Sequence, residues 1–380
     1  MDDAKLEQLR AEFPVTERYA YLNHAAVAPM PRRATQRMAA MAEDVSRTGD
    51  QHWADRNKET ERVRALAAQL LGARDPREVS FCENTSTGLS AIAEGFVDWQ
   101  PGDNVIGACL DFPSNVYPWM RLADHGVEYR QIEERDGRID DDELLSRIDD
   151  RTRMLALSWV QYASGYRCDL ARIGRACRER GILLVVDVIQ GLGALELDVE
   201  RDLIDAAVAS AHKWLLGPEG IGLLYVSDRI VERLRPTRSG WRSMRDQLGW
   251  TEFHVDFNEG AKRFESGTLN AYGITALGAS LEILLEAGMD EVERRVLSLT
   301  QRAAAGLAER GWQVISSRAE GETSGIVTAV HPDHSAGETV RKLAERGVIV
   351  ADRAGRFRVS PHFYNSEEEV DRMLAELDAL

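Results

Sequence analysis

Two side chains of opposite chemistry close two apolar runs in the chain. GILLVVDVIQG carries Asp187 at the end of a nearly all-apolar segment, and twenty-six residues later AAVASAHKWLLGPEG carries Lys213 after a run of small and apolar residues. Short apolar runs of this kind read as buried strands. A polar residue just past the carboxyl end of such a strand stands where open α/β sheets bind ligands. A third element is CENTSTGLS, where Asn84, Thr85, Ser86 and Thr87 follow the short run EVSF and open a helical pattern. Free backbone N–H groups at a helix N-terminus, with hydroxyls beside them, suit an anion such as phosphate.

Each element also has a plainer reading. Asp187 would serve as a turn or cap residue, Lys213 as a snorkelling or salt-bridged amine, and residues 84–87 as an ordinary helix cap. Their coincidence at one sheet edge favours the chemical reading. An amine able to form a Schiff base, an acid able to keep a pyridine nitrogen protonated and a phosphate cradle are the parts a pyridoxal phosphate enzyme needs.

The elements that must position these groups alternate. Strand patterns fall at EVSFC, NVIGACL (104–110), GVEYRQI (126–132), TRMLALSWV (152–160), GILLVVDV (181–188), AAVASA (206–211) and GIGLLYV (220–226). Helical patterns such as TERVRALAAQLLGA and LARIGRACRER lie among them. This rhythm predicts an α/β fold with a mainly parallel sheet flanked by helices. From about Gly273 the texture changes to long amphipathic helices and a few short strands, which predicts a smaller α+β domain. Its last helix opens on a capping box, Ser366 with Glu369, followed by the apolar stripe Val370, Met373, Leu374 and Leu377. The expected division is a segment 1–20 packing on either domain, a large domain 21–270 and a small domain 271–380.

Composition narrows the function classes. At 380 residues the chain exceeds the size at which one core usually keeps growing, and its 44% hydrophobic and 29% charged residues are those of a globular protein. A formal charge of -16 argues against a broad nucleic-acid surface while leaving room for a local cationic pocket. No apolar run approaches the roughly 20 residues of a membrane span, and the N-terminus lacks a basic and apolar leader, so no membrane partner and a cytoplasmic location are expected. Cys82, Cys109, Cys168 and Cys177 show no CxxC spacing, so neither a disulfide framework nor a metal site is expected.

The sequence resembles the class V aminotransferase family of fold-type I pyridoxal phosphate enzymes, which includes cysteine desulfurases and isopenicillin-N-epimerase-like proteins. The likeness runs from YLNHAAVAPMP at 21 to RVSPHFYNSEEEVDRML at 358–374, and DVIQG with SAHKW is its most specific pair. It implies that Lys213 is the Schiff-base lysine, that Asp187 pairs with the pyridine nitrogen and that Gln190 reaches the ring oxygen. It further implies that Ser210 and His212 join Thr85 and Ser86 on the phosphate, that Phe112 of DFPSNVYPW stacks on the ring, and that Arg358 grips the substrate α-carboxylate. Asn23, His24 and Trp241 of SGWRS resemble residues near the substrate. Thr268 of RFESGTLN resembles one that reaches the cofactor of a neighbouring subunit, implying a homodimer with shared active sites.

Three departures bear on the reaction. The desulfurases carry a sulfur-accepting cysteine in their C-terminal part, and here none follows Cys177. Where they place an asparagine three residues before a glycine, this chain has Tyr162 before Gly165, and a phenol can still hydrogen-bond the cofactor's ring oxygen. Phe112 also stands where they have histidine, removing a possible proton carrier. The expectation is an enzyme that takes an α-amino acid through an external aldimine, aminotransferase-type first, a carbon–sulfur lyase on cysteine or a cysteine conjugate second and an epimerase third. A nicotinamide dehydrogenase is disfavoured because no G-x-G-x-x-G follows an early strand. A catalytically silent binding protein on the same scaffold is disfavoured because both Lys213 and Asp187 are retained.

Overall fold

The apolar runs come together in one seven-stranded sheet. The computed structural model describes residues 2–247 and 251–380. Its strands are β1 (Val79–Cys82), β2 (Asn104–Ala108), β3 (Glu128–Ile132), β4 (Thr152–Ser158), β5 (Leu183–Asp187), β6 (Ala206–Ser210) and β7 (Gly222–Val226), in the order β1-β7-β6-β5-β4-β2-β3. β7 runs antiparallel to both neighbours, and the other pairings are parallel. Every residue of β2, β5, β6 and β7 is buried. Helices on both faces of a parallel sheet leave no strand face for water, which is why these strands are continuous apolar runs rather than alternating ones.

Helices α1 (Asp3–Arg10), α2 (Arg32–Thr48) and α3 (Trp53–Leu71) precede the sheet, while α4 (Thr85–Gly95) and α5 (Leu170–Glu179) connect its strands. α4 lies close on β6 because residue 88 is glycine: a Cβ there would stand 2.5 Å from a methyl of Val208. α6 (Ala271–Ala287) is apolar almost all round and packs against α2 and α3, and Ile274, Leu277, Leu281 and Leu284 join the core of the large sheet.

A second, antiparallel sheet follows, with β8 (Gln313–Val314), β9 (Val327–Val330), β10 (Ala351–Arg353) and β11 (Arg356–Val359) in the order β8-β9-β11-β10. Leu299, Ala303 and Leu307 of α7 (Met289–Glu309), Leu343 of α8 (Ala336–Glu345) and Val370, Met373 and Leu374 of α9 (Glu367–Asp378) fill the core beneath it. α9 begins with the capping box of Ser366 and Glu369. The N-terminal segment touches both cores. Leu9 and Phe13 lie in that of the large sheet and Ala20 and Leu22 in the other, while Ala20–Tyr21 pairs with Val348–Ile349. Among the described residues no helix is long and apolar enough to cross a membrane.

A buried ion pair ties α3 to the segment that leads into α6. Arg64, fully buried, donates to Glu265 Oε1 at 2.7 Å and to the carbonyl of Val79 at 2.8 Å, and the same Oε1 accepts the N–H of Phe81 at 3.0 Å. Removing Glu265 leaves the buried guanidinium with only the half-exposed Glu61, at 3.2 Å, and the Val79 carbonyl, and losing the buried partner costs about 3–5 kcal/mol. Glu265→Ala is therefore expected to lower stability by that amount in urea unfolding. A loss below 1 kcal/mol would mean that the pair is not buried in solution.

Candidate active site

β1, β5 and β6 end at the same edge of the large sheet, and each delivers a polar group there. β5 closes on Asp187, which is buried, its Oδ1 accepting the N–H of Ile189 at 3.0 Å. β6 closes on Ser210, and the loop beyond it carries His212 and Lys213. That loop turns through Leu216 in the left-handed region (φ 58°), with Leu216 N donating to the Lys213 carbonyl at 2.9 Å. Past β1, Asn84 caps α4 by accepting from the N–H of Thr87 at 3.0 Å. Thr85 and Ser210 then clasp one another, with Thr85 N to Ser210 Oγ at 2.8 Å, Ser210 N to Thr85 Oγ1 at 3.1 Å and the two hydroxyls 3.0 Å apart. The helix N-terminus is thereby locked to the end of β6.

These groups line one cavity of about 290 Å³, together with Ser86, Phe112, Tyr162, Gln190 and Arg358. Ser86 and Ser114 share a hydrogen bond of 2.7 Å on its wall. Lys213 Nζ lies 5.4 Å from the centre of the Phe112 ring, whose edge meets Tyr162 with centroids 5.4 Å apart. Arg358 reaches in from β11. Its Nη1 donates to the Tyr162 carbonyl at 3.0 Å, whereas Nε and Nη2 are buried and find no partner among the described residues. Two adjacent guanidinium N–H groups held so are an open fork for a carboxylate.

Burial dominates the electrostatics. It lowers Lys213 to about 8, against the pull of Asp187 and with help from Arg358 and Arg353. It raises Asp187 to about 6, against the Ile189 N–H and Lys213. It pushes Arg358 down to about 9, with Arg353 adding to the shift, and lowers His212, with Lys213 adding to it. Lys213 is thus an amine of which about a tenth is uncharged at pH 7, far more than of an ordinary lysine, and the uncharged form is the one that attacks a carbonyl carbon.

Other expected residues lie elsewhere. His24 is fully buried outside the cavity, its Nδ1 at 2.9 Å from the Ser360 carbonyl and its Nε2 at 2.6 Å from the Tyr364 hydroxyl. Asn23 pairs with Ser360 and does not line the cavity. Trp241, 37% exposed, and Thr268, exposed, lie outside it too, Thr268 on a separate cleft with Phe81, Cys82 and Asn270. One cavity residue that the sequence does not announce is Arg353, which donates to the Asp352 carbonyl at 2.9 Å and forms no ion pair among the described residues. The signal for it is R-x-x-R-x-R around Ala354–Gly355. A two-residue turn there, with φ of 54° and 75°, sets Arg353 opposite Arg356 and Arg358 opposite Ala351.

The donor set fits a ligand that offers a carbonyl carbon to an amine, a protonated ring nitrogen to an acid and an anion to hydroxyls at a helix N-terminus. Such a fold and donor set define a fold-type I pyridoxal phosphate enzyme. The sequence matches the family described as Aminotransferase class-V over residues 20–373. It is 28% identical over 383 residues to an uncharacterised aminotransferase, YcbU, of Bacillus subtilis (strain 168), covering 98% of this chain and 97% of that protein. It is 30% identical over 404 residues to a cysteine desulfurase of Cronobacter sakazakii (strain ATCC BAA-894), with the same coverage. The structure of the cysteine desulfurase CsdA of Escherichia coli, in an S-sulfonic acid form, superposes with a TM-score of 0.87 at 25% identity over 98% of each chain. The chain belongs to the class V aminotransferase family. It is a pyridoxal phosphate enzyme, a transferase or a lyase.

The Asp187 shift has a measurable sign. The folded, cofactor-free chain holds this proton more tightly than the unfolded one, so the associated stability is full below pH 3.8 and is lost as pH rises through about 6. Above that the buried charge costs roughly 3 kcal/mol, from a shift of about two units. Cofactor-free Asp187→Asn is therefore expected to be more stable than wild type at pH 7.5 and to lose that advantage near pH 4. Urea unfolding at both values checks it, and an equal difference at the two would contradict it.

Proposed function

We propose that this protein is an aminotransferase-type enzyme acting on an α-amino acid. The observation that carries the proposal is Lys213, a buried amine lowered to about 8 in a cavity that also holds the open fork of Arg358. Pyridoxal phosphate, when bound, supplies the electron sink that makes a proton on the substrate α-carbon removable. Lys213 would hold it covalently through Nζ. Asp187 would pair with its ring nitrogen, Gln190 and Tyr162 with its ring oxygen, and Thr85, Ser86, Ser210 and His212 with its phosphate, while Phe112 covers the ring. Arg358 takes the substrate α-carboxylate, and Arg353 beside it suits a second acidic group.

Transamination asks for one base that takes a proton from one carbon and returns it to the next. Lys213 in its neutral form is such a base, and Phe112 contributes none. Elimination asks in addition for an acid that protonates the leaving group. Tyr162 lines the cavity and carries such a proton, so a carbon–sulfur lyase is the second reading. Persulfide formation on the protein is disfavoured, since all four cysteines precede residue 178 and none lines the cavity.

Holoenzyme incubated with aspartate, glutamate, alanine, cysteine and cysteine conjugates tests the reading. Oxo acid whose appearance depends on an added oxo-acid acceptor is expected. Oxo acid released with ammonia would make the enzyme a lyase, and α-deuterium exchange alone an epimerase. Lys213→Ala should lose about 10³-fold or more in rate, and wild-type turnover by that variant would refute the role of Lys213.

We also propose a homodimer in which Thr268 of each chain serves the cofactor of the other. Its support is the position of Thr268 and Trp241, outside their own chain's cavity. Sedimentation should give twice the chain mass, and Thr268→Ala should weaken cofactor retention. A monomer with full activity would overturn this.

A further inference from the structure

Trp214 follows Lys213 and is fully buried beneath the cavity. Its indole Nε1 can only donate, and it donates to Gln190 Oε1 at 3.0 Å. The other end of that amide, Nε2, donates to the carbonyl of Ala25 at 3.1 Å, and a carbonyl can only accept. A donor at one end and an acceptor at the other agree with a single setting of the amide. One N–H of Nε2 remains, and Gln190 lines the cavity.

The clamp is itself held from both sides. The Trp214 carbonyl lies 3.0 Å from His362 Nε2, and His362 Nδ1 accepts the N–H of Phe363 at 2.8 Å. Nδ1 being an acceptor, the ring is neutral with its proton on Nε2, pointed at Trp214; burial keeps it so by pushing His362 down to about 4. The indole lies against Gly325, where a Cβ would stand 2.4 Å from its edge. Ala25 is fixed through its N–H to Ser360 Oγ at 3.1 Å, while neighbouring His24 spans Ser360 and Tyr364. Ser360 lies two residues beyond Arg358. The segment that carries the carboxylate fork therefore also braces both partners of the amide.

We propose that Trp214, with the Ala25 carbonyl, is a positioning residue that holds the Gln190 amide with an N–H, rather than its oxygen, toward the cavity. Gln190 then donates to the ring oxygen of the bound cofactor, and Trp214 acts on the cofactor only through it. This rests on the reading of Gln190 given above. A donor facing that oxygen stabilises its negative charge and so loosens its hold on the neighbouring proton of the bound chromophore. The pH midpoint of the cofactor's visible absorption is lowered accordingly.

The test is a spectrophotometric pH titration of four holoenzymes: wild type, Trp214→Phe, Gln190→Leu and the double variant, each checked for folding by circular dichroism. Trp214→Phe should move the midpoint up by about one pH unit, the scale of a hydrogen bond to a charged group. Gln190→Leu should move it at least as far, and the double variant no further than Gln190→Leu alone. An unmoved midpoint in Trp214→Phe, an unmoved midpoint in Gln190→Leu or additive shifts in the double variant would each overturn the proposal. Should Trp214→Phe fail to fold, Gln190→Glu carries the test. With the indole holding one carboxylate oxygen, an acceptor faces the ring and the midpoint should rise beyond that of Gln190→Leu; equal shifts overturn the proposal. A wild-type protein that takes up no cofactor absorption would instead sink the proposed function itself, and this inference with it.

Discussion

Burial acts on Lys213 and Asp187 in the same direction, toward the uncharged form, because water no longer solvates either charge. An amine lowered to about 8 and an acid raised to about 6 are costly to hold in the absence of a ligand that needs them. Much of the surrounding structure makes that arrangement possible. The strand that ends on Asp187 and the strand that leads to Lys213 are buried over their whole length, so their ends at the sheet edge are where these polar side chains can stand.

The sheet order converts sequence distance into contact. Asp187 and Val208 are paired across β5 and β6, and Gly222 of β7 is paired with both Ser210 and Cys82. β7, running against its neighbours, thus brings the end of β1 to the end of β6, where the hydroxyl clasp of Thr85 and Ser210 fixes the first turn of α4. The second sheet contributes by reach. A tight hairpin sets the register of β10 and β11, and a slip of one residue would turn Arg358 away from the cavity.

Much of the fold was legible because the strands β2, β5, β6 and β7 of the large sheet are buried over their whole length, and a two-sided environment leaves a continuous apolar signature. The ends of those runs marked Asp187, Ser210 and Lys213, and the polar opening of α4 marked Thr85 and Ser86. His24 was legible only by resemblance, as a loop residue near the substrate. Its placement in a buried network with Ser360 and Tyr364 depends on a chain segment more than 300 residues away. Arg353 looks like any arginine in a charged stretch until the Ala354–Gly355 turn assigns it a face.

The sequence by itself determined the parts, namely which runs would be buried, which polar residues would stand at their ends, and that no cysteine follows Cys177. These are local properties of solvation and periodicity. Tertiary structure decided which polar groups share a cavity, which way each donor and acceptor is turned, and how far burial moves an amine or an acid from its value in water. Those depend on distances between segments far apart in the chain, and on a dielectric that exists only once the segments have closed around the site.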